Sequence, residues 1–137
     1  MTETKPDWHQ RARSLAIEGR AFIDGRYVHA ASGLTFDRVS PIDGRVVAQV
    51  ASTDVADVDL AVTAARRAFA TYARTTIPER MALIDRVIAA YERRQDDIAR
   101  AISDEMGAPL AFARRSQSRL GIGHLATIRQ VLETFPF

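Results

Sequence analysis

The side chains in this sequence that could perform chemistry are few and far apart. The 137 residues include no cysteine, which excludes disulfides, thiolate metal sites and thiol nucleophiles. The three histidines are His9, His29 and His124, and their spacing matches no metal-binding pattern. We therefore interpret them as surface or partly buried structural residues.

Two further features could be interpreted as chemical sites, but a structural interpretation explains each of them better. Acidic pairs at positions 96–97 and 104–105 fall in helical stretches, where we expect solvent or nearby arginines to satisfy them. The single Gly-x-Gly, at Gly121 and Gly123, lacks a third glycine and follows a helical pattern instead of a strand. Helix packing or a kink therefore explains it better than a dinucleotide-binding turn.

The composition excludes several classes of partner. Hydrophobic residues make up 47% of the chain and charged residues 26%, which is typical of a soluble globular protein. The net charge is only +2, and the paired arginines are scattered along helical stretches, so we expect no nucleic-acid partner. Charge interrupts every apolar run and the first residues have no apolar core. We therefore expect a cytoplasmic protein with no membrane partner.

The elements that would position these residues begin with two β-hairpins. Residues 21–28 contain an Asp24-Gly25 pair between two short apolar segments, the preferred sequence of a two-residue type I′ turn. Residues 35–40 and 45–51 alternate or are β-branched, and the sequence Pro-Ile-Asp-Gly at 41–44 supplies a turn between them.

Three helical patterns follow the hairpins. From Asp54 onward, apolar residues recur every three or four positions on one face of an amphipathic helix: Val55, Val58, Val62, Ala65, Phe69 and Tyr72. The candidates for its N-cap are Ser52, Thr53 and Asp54.

The second helix begins with an N-cap at Thr76, a capping box closed by Glu79, and Pro78 in the first turn. It should bury the stripe Met81, Ile84, Val87, Ile88 and Tyr91, and it continues, with a potential bend at 95–97, to the stop signal at 107–109. Residues 110–132 predict a last helix, interrupted by the two glycines at 121 and 123.

The sequence therefore predicts an α+β chain of two N-terminal β-hairpins followed by three or four α-helices. We divide it into an N-terminal arm (1–19), a β-hairpin segment (20–51) and a helical segment (52–137), which together form one incomplete domain. An end as apolar as residues 135–137 also favours an incomplete unit, since chain termini usually lie in polar surface.

The order and spacing of these elements resemble those of a known protein family, and several segments match it in sequence. Two of the matching segments are Phe-Ile-Asp-Gly-Arg-Tyr-Val at 22–28 and Pro-Glu-Arg at 78–80. A third segment is 39–44, which resembles the family's V-N-P-x-T-G, with Ser40 for Asn and Asp43 for Thr. A fourth is the Glu-Met-Gly-Ala-Pro at 105–109. Across nearly its whole length the chain resembles the N-terminal part of the NAD(P)-dependent aldehyde dehydrogenase superfamily. Residues 14–52 look most like the branch that acts on γ-glutamylamino-aldehydes and related aminoaldehydes.

The resemblance implies an α/β, Rossmann-like parent fold and a parent reaction that oxidises an aldehyde to a carboxylic acid with NAD or NADP. The family's Cys nucleophile is absent here, and its catalytic Asn and Glu and its nucleotide-binding glycines correspond to no residue of this chain. We therefore expect no cofactor to bind this segment alone. The resemblance also implies a monovalent-cation site between main-chain carbonyls and an acidic residue. The matching positions are Arg38, Val39 and Glu105, and in the family the site also needs residues from the part that this chain lacks.

Three functions stay open at this point. The first is a dehydrogenase fragment without activity, whose uncovered helix faces self-associate or bind the remaining part of a dehydrogenase. Those faces include Phe69, Tyr72, Ile88, Tyr91 and Phe112. The second is a small helical interaction module that binds a partner such as a full-length dehydrogenase subunit. The third is an independent small enzyme, for which the sequence offers no convergent polar cluster.

Overall fold

A computed structural model describes residues 15–136 and has the predicted α+β architecture of two β-hairpins followed by helices. Most of the predicted N-terminal arm, with His9, lies outside the described residues, as does Phe137. Each hairpin is its own two-stranded antiparallel sheet.

The first hairpin joins β1 (Ala21–Ile23) to β2 (Arg26–Val28). Asp24 and Gly25 both have positive φ, 56° and 76°, and the strands pair Ile23 with Arg26 across them. Positive φ at both central residues defines the type I′ turn, because its twist matches that of the flanking strands. The predicted turn is therefore confirmed.

The second hairpin joins β3 (Thr35–Val39) to β4 (Val46–Ala51), with a bulge between Arg38 and Val39. The chain before β1 runs beside β4, where Ala51 donates its N–H to the Gly19 carbonyl at 2.8 Å. A Cβ at position 19 would lie 1.8 Å from the Gln49 carbonyl oxygen, so this approach requires glycine.

Helix α1 (Val55–Tyr72) begins at a capping box. The Asp54 side chain accepts from the Ala56 N–H at 2.9 Å, and the Asp57 side chain accepts from the Asp54 N–H at 3.1 Å. Asp57 is buried and also accepts from the Ala31 N–H at 2.9 Å. The same carboxylate therefore starts the helix and fixes the loop after β2.

The apolar stripe predicted along α1 lies mostly on its uncovered side. The groove between α1 and the first hairpin is lined by small side chains such as Ala61 and Ala64, together with Ile23. Phe69 and Tyr72 are instead 66% and 46% exposed, and Val55, Val58 and Val62 are exposed as well. The surface of α1 that faces the first hairpin carries mainly alanines, and the predicted stripe reaches it through Val58 and Ala65.

Helix α2 (Ile77–Met106) is one continuous helix with the caps that the sequence predicts. The Thr76 hydroxyl accepts from the Glu79 N–H, and the Glu79 carboxylate accepts from the Thr76 N–H at 2.7 Å. Gly107 ends the helix in the left-handed conformation, with a φ of 71°. Its predicted stripe is half-buried, except that Val87 is exposed.

The last predicted helix divides into α3 (Leu110–Phe112), a π-helical turn (Ala113–Gln117) and α4 (Ser118–Thr134). The π-helical turn and α4 pack against α2. Within residues 15–136 the fully buried apolar side chains are only Ala30, Ala99 and Ala113. The large apolar side chains of these residues are half-buried or exposed.

Candidate functional site

The second hairpin meets the C-terminal end of α2, where the sequence placed its candidate cation site. Arg38 donates from Nη2 to the main-chain carbonyl of Glu105 at 2.9 Å. The Nε atom of Arg38 also lies 3.5 Å from the Glu105 carboxylate. The structure therefore joins two residues 67 positions apart that the resemblance had grouped together.

A second arginine of the same hairpin binds the neighbouring acid. Arg45 donates to the Asp104 carboxylate at 3.0 Å, and Arg100, one turn earlier in α2, donates to it at 2.9 Å. Asp104 is only 6% exposed. A buried carboxylate needs such partners, and here two guanidinium groups supply them.

The turn of the second hairpin completes the contact with α2. A Cβ on Gly107 would lie 3.2 Å from Cγ of Pro41, and Ile42 is the next nearest side chain. Ser40, next to Pro41, is almost fully buried, and its hydroxyl accepts from the Ile42 N–H at 3.3 Å. The Ser-Pro and Met-Gly segments that carry part of the family resemblance therefore lie against each other.

The geometry bears directly on the predicted cation site. Val39 follows Arg38 in β3, and Arg38 is the residue of this pair that contacts Glu105. The guanidinium group of Arg38, however, already contacts the carbonyl and the carboxylate of Glu105 that a cation would need. With Arg38 in this position the Glu105 oxygens already have a cationic partner, and cation binding by Val39 and Glu105 stays a prediction.

The acidic pairs are bound by arginines, as the sequence predicts. Asp97 accepts from Arg94 at 2.8 Å, and Asp96 accepts from Arg114 at 2.9 Å. With Asp104 and Glu105 described above, all four acids have arginine partners, so none of them is poised as a general base. The intrahelical pairs follow the usual spacing of three or four residues.

The remaining candidates for chemistry have structural explanations. His29 and His124 are exposed, and residues 15–136 include no group of three His, Asp or Glu side chains that could hold a metal ion. Gly121 lies inside α4, where a Cβ would come within 2.6 Å of the Tyr91 hydroxyl. The packing interpretation of the Gly-x-Gly is therefore confirmed for Gly121. No helix in this part of the chain is long and apolar enough to cross a membrane.

Sequence reasoning did not find the role of Arg38 and Arg45 at the end of α2. They lie 67 and 59 positions from their acidic partners, and no local pattern pairs residues at that distance. The one available signal was the Pro-Ile-Asp-Gly turn at 41–44, which lies between the two arginines in the sequence.

Two hairpins, the helices that follow them and the contact between the second hairpin and α2 thus make up the described part of the chain. The sequence pattern of the aldehyde dehydrogenase family matches residues 27–135. The chain belongs to the aldehyde dehydrogenase family.

Individual proteins that are similar to this chain support its membership of the family. A Staphylococcus aureus protein assigned as an aldehyde dehydrogenase is 37% identical over 118 residues, which are 86% of this chain and 25% of that protein. An indole-3-acetaldehyde dehydrogenase of P. syringae, solved with NAD+, is 39% identical with a TM-score of 0.90, and the match covers 95% of this chain and 27% of that one.

An aminoaldehyde enzyme is also among the similar structures. The γ-glutamyl-γ-aminobutyraldehyde dehydrogenase of Burkholderia cenocepacia is 38% identical with a TM-score of 0.89, over 93% of this chain and 26% of its own. This agrees with the resemblance to the aminoaldehyde branch. The chain thus spans about a quarter of the length of the relatives it matches.

Proposed function

We propose that this chain is the N-terminal structural part of an NAD(P)+-dependent aldehyde dehydrogenase and has no dehydrogenase activity by itself. The observation that carries the proposal is the match to 95% of this chain and 27% of a dehydrogenase, at a TM-score of 0.90, in a sequence without cysteine. The parent reaction oxidises an aldehyde to a carboxylic acid, and that chemistry needs an activated nucleophile. This chain offers no thiol for it.

The role that remains is to support the rest of an enzyme. The arm (1–19), the hairpin segment (20–51) and the helical segment (52–137) are parts of one larger domain in this proposal. Their large apolar side chains, among them Phe69 and Phe112, are more than half exposed. Such a surface is typical of an interface. We propose that the remaining part of a dehydrogenase covers it, in the cytoplasm.

The cofactor belongs to that remaining part in this proposal. The P. syringae relative was solved with NAD+, whereas the only Gly-x-Gly of this chain lies within helix α4. A pyrophosphate-binding turn needs glycines between a strand and a helix N-terminus. We therefore assign neither NAD nor NADP to this segment alone.

A chimera tests the structural role. In it, this chain replaces the matching 27% of the P. syringae enzyme, and NADH formation from indole-3-acetaldehyde is followed by absorbance. We expect the chimera to oxidise the aldehyde, because the fold of this chain matches that of the segment it replaces at a TM-score of 0.90. A folded but inactive chimera would count against the proposal.

The isolated chain provides the complementary measurement. We expect no reduction of NAD+ or NADP+ by the purified 137 residues with any aldehyde, and no heat of cofactor binding in calorimetry. The complete P. syringae enzyme serves as the positive control. Aldehyde-dependent NADH formation by the chain alone would overturn the proposal and favour an independent enzyme.

A second function is supported by the uncovered apolar face of α1, on which Phe69 is 66% exposed. In this alternative the chain is a small interaction module that binds a complete dehydrogenase subunit. Co-purification with such a subunit in a one-to-one ratio would favour the module. A chimera that is active, with no such co-purification, would favour the structural role.

A further inference from the structure

The C-terminal end of α2 carries a concentration of negative charge that needs a positive partner. The last carbonyls of a helix have no partner within it and hold the negative end of the helix dipole. Gly107 satisfies one of them by donating its N–H to the Ser103 carbonyl at 2.9 Å. The Glu105 carbonyl is another, and the Glu105 and Asp104 side chains add two carboxylates at the same place.

The second hairpin supplies that partner with arginine side chains. Arg45 and Arg100 share the carboxylate of Asp104, and Arg38 alone contacts both the carbonyl and the carboxylate of Glu105. A guanidinium group is suited to this, because it carries a permanent charge and donates several hydrogen bonds in fixed directions.

A monovalent cation between Val39 and Glu105 would bind the Glu105 carboxylate that Arg38 contacts. It would also sit next to the guanidinium group of Arg38, and two positive charges at contact distance repel each other. The two occupants are therefore mutually exclusive in this arrangement. The side chains of Arg38 and Glu105 are 42% and 40% exposed, so ions in solution could reach the carboxylate if the guanidinium group were absent.

We propose that Arg38 takes the place of a bound monovalent cation at the end of α2, so that this chain is stabilised there without one. The inference concerns only the stability of the chain and is independent of the proposed dehydrogenase role.

The test is the melting temperature of the full chain in sodium, potassium or choline chloride at equal ionic strength. Choline is too large for a site between main-chain carbonyls. We expect the unchanged protein to melt at the same temperature in all three salts. The Arg38→Met variant keeps the aliphatic stem, and we expect it to melt several degrees lower in choline and to recover part of the loss in sodium or potassium.

Arg67→Gln is the matched control. It removes the same charge from another pair between a helix and a hairpin, since Arg67 contacts Asp24 at 2.6 Å, but no main-chain carbonyl is uncovered. We expect its melting temperature to be equal in the three salts. If Arg38→Met does not fold in choline, recovery of its near-ultraviolet circular dichroism on addition of potassium is the equivalent result.

Two outcomes would overturn the inference. The first is a saturable rise in the melting temperature of the unchanged protein with sodium or potassium over choline, which would place a cation beside Arg38. The second is an Arg38→Met variant whose melting temperature, or near-ultraviolet circular dichroism if it is unfolded, is the same with sodium, potassium and choline. The guanidinium group would then not take the place of a bound cation.

Discussion

Gly121 and Gly123 lie two positions apart in the same helix, yet their surroundings differ. A Cβ at position 121 would come within 2.6–2.8 Å of three atoms of the Tyr91 side chain, whereas nothing lies within 4 Å of a Cβ at position 123. A glycine inside a helix costs about 1 kcal/mol relative to alanine. Only at position 121 does packing against α2 explain that cost.

We therefore predict opposite effects of alanine at these two positions. Gly123→Ala should raise the free energy of unfolding by about 0.5–1 kcal/mol, because alanine restricts the unfolded chain and favours the helix. Gly121→Ala should lower it by about 1–3 kcal/mol, the usual cost of forcing an extra carbon into a packed contact. Urea unfolding followed by circular dichroism measures both. Equal stabilisation by the two substitutions would mean that Tyr91 does not pack against Gly121.

Residues whose conformation depends on close sequence neighbours were the ones that the sequence predicted best. Asp24-Gly25 forms the expected turn and Gly107 the expected helix end, since positive φ favours these residue types whatever lies around them. The contact of Arg38 with Glu105 could not be predicted in the same way. It depends on how a hairpin packs on a helix 67 residues later.

At the scale of whole elements, the start of α2 gives a second prediction. The N–H of Thr76, and then its hydroxyl, donate to the carboxylate of Glu79 and hold the pKa of that side chain below its ordinary 4.5. A lowered carboxyl pKa contributes stability above pH 4.5, and this is lost as the pH falls through the lowered value.

Thr76→Ala should weaken this start in two measurable ways. The free energy of unfolding at pH 7 should fall by about 1 kcal/mol, the usual cost of losing an N-cap hydroxyl. The pKa of Glu79, followed by NMR, should rise part of the way toward 4.5, since only the main-chain donor remains. Thr76→Ser keeps the hydroxyl and is the control. An unchanged Glu79 pKa in the alanine variant would contradict the capping box.

The elements also show where sequence reasoning stops. Periodicity predicted an apolar stripe on α1, but only its members Val58 and Ala65 lie against the first hairpin, beside Ala61 and Ala64. The sequence of a helix with two apolar faces does not predict which face packs against the neighbouring element, because tertiary packing decides that. The π-helical turn at Ala113–Gln117 was not predicted, since no residue type marks a π-turn.

At the scale of the whole molecule, the buried apolar side chains of residues 15–136 are small, and the large ones are half-buried or exposed. Ala99 and Ala113 are fully buried, whereas Val55 is 76% exposed on the uncovered face of α1. An exposed apolar surface of this kind is typical of an interface. The interior alone then contributes little to stability.

This distribution predicts that the isolated chain self-associates. The weight-average mass in sedimentation equilibrium should rise above 15.2 kDa with protein concentration, because association covers the face that carries Phe69 and Tyr72. Burying one phenylalanine contributes about 1.5–3 kcal/mol, so Phe69→Gln should raise the dissociation constant roughly 10- to 100-fold. Arg66→Gln changes the same helix without removing apolar surface and should leave association nearly unchanged. A mass of 15.2 kDa at every concentration, together with a sharp cooperative melt, would instead show that the chain is stable as a monomer with this face exposed to water.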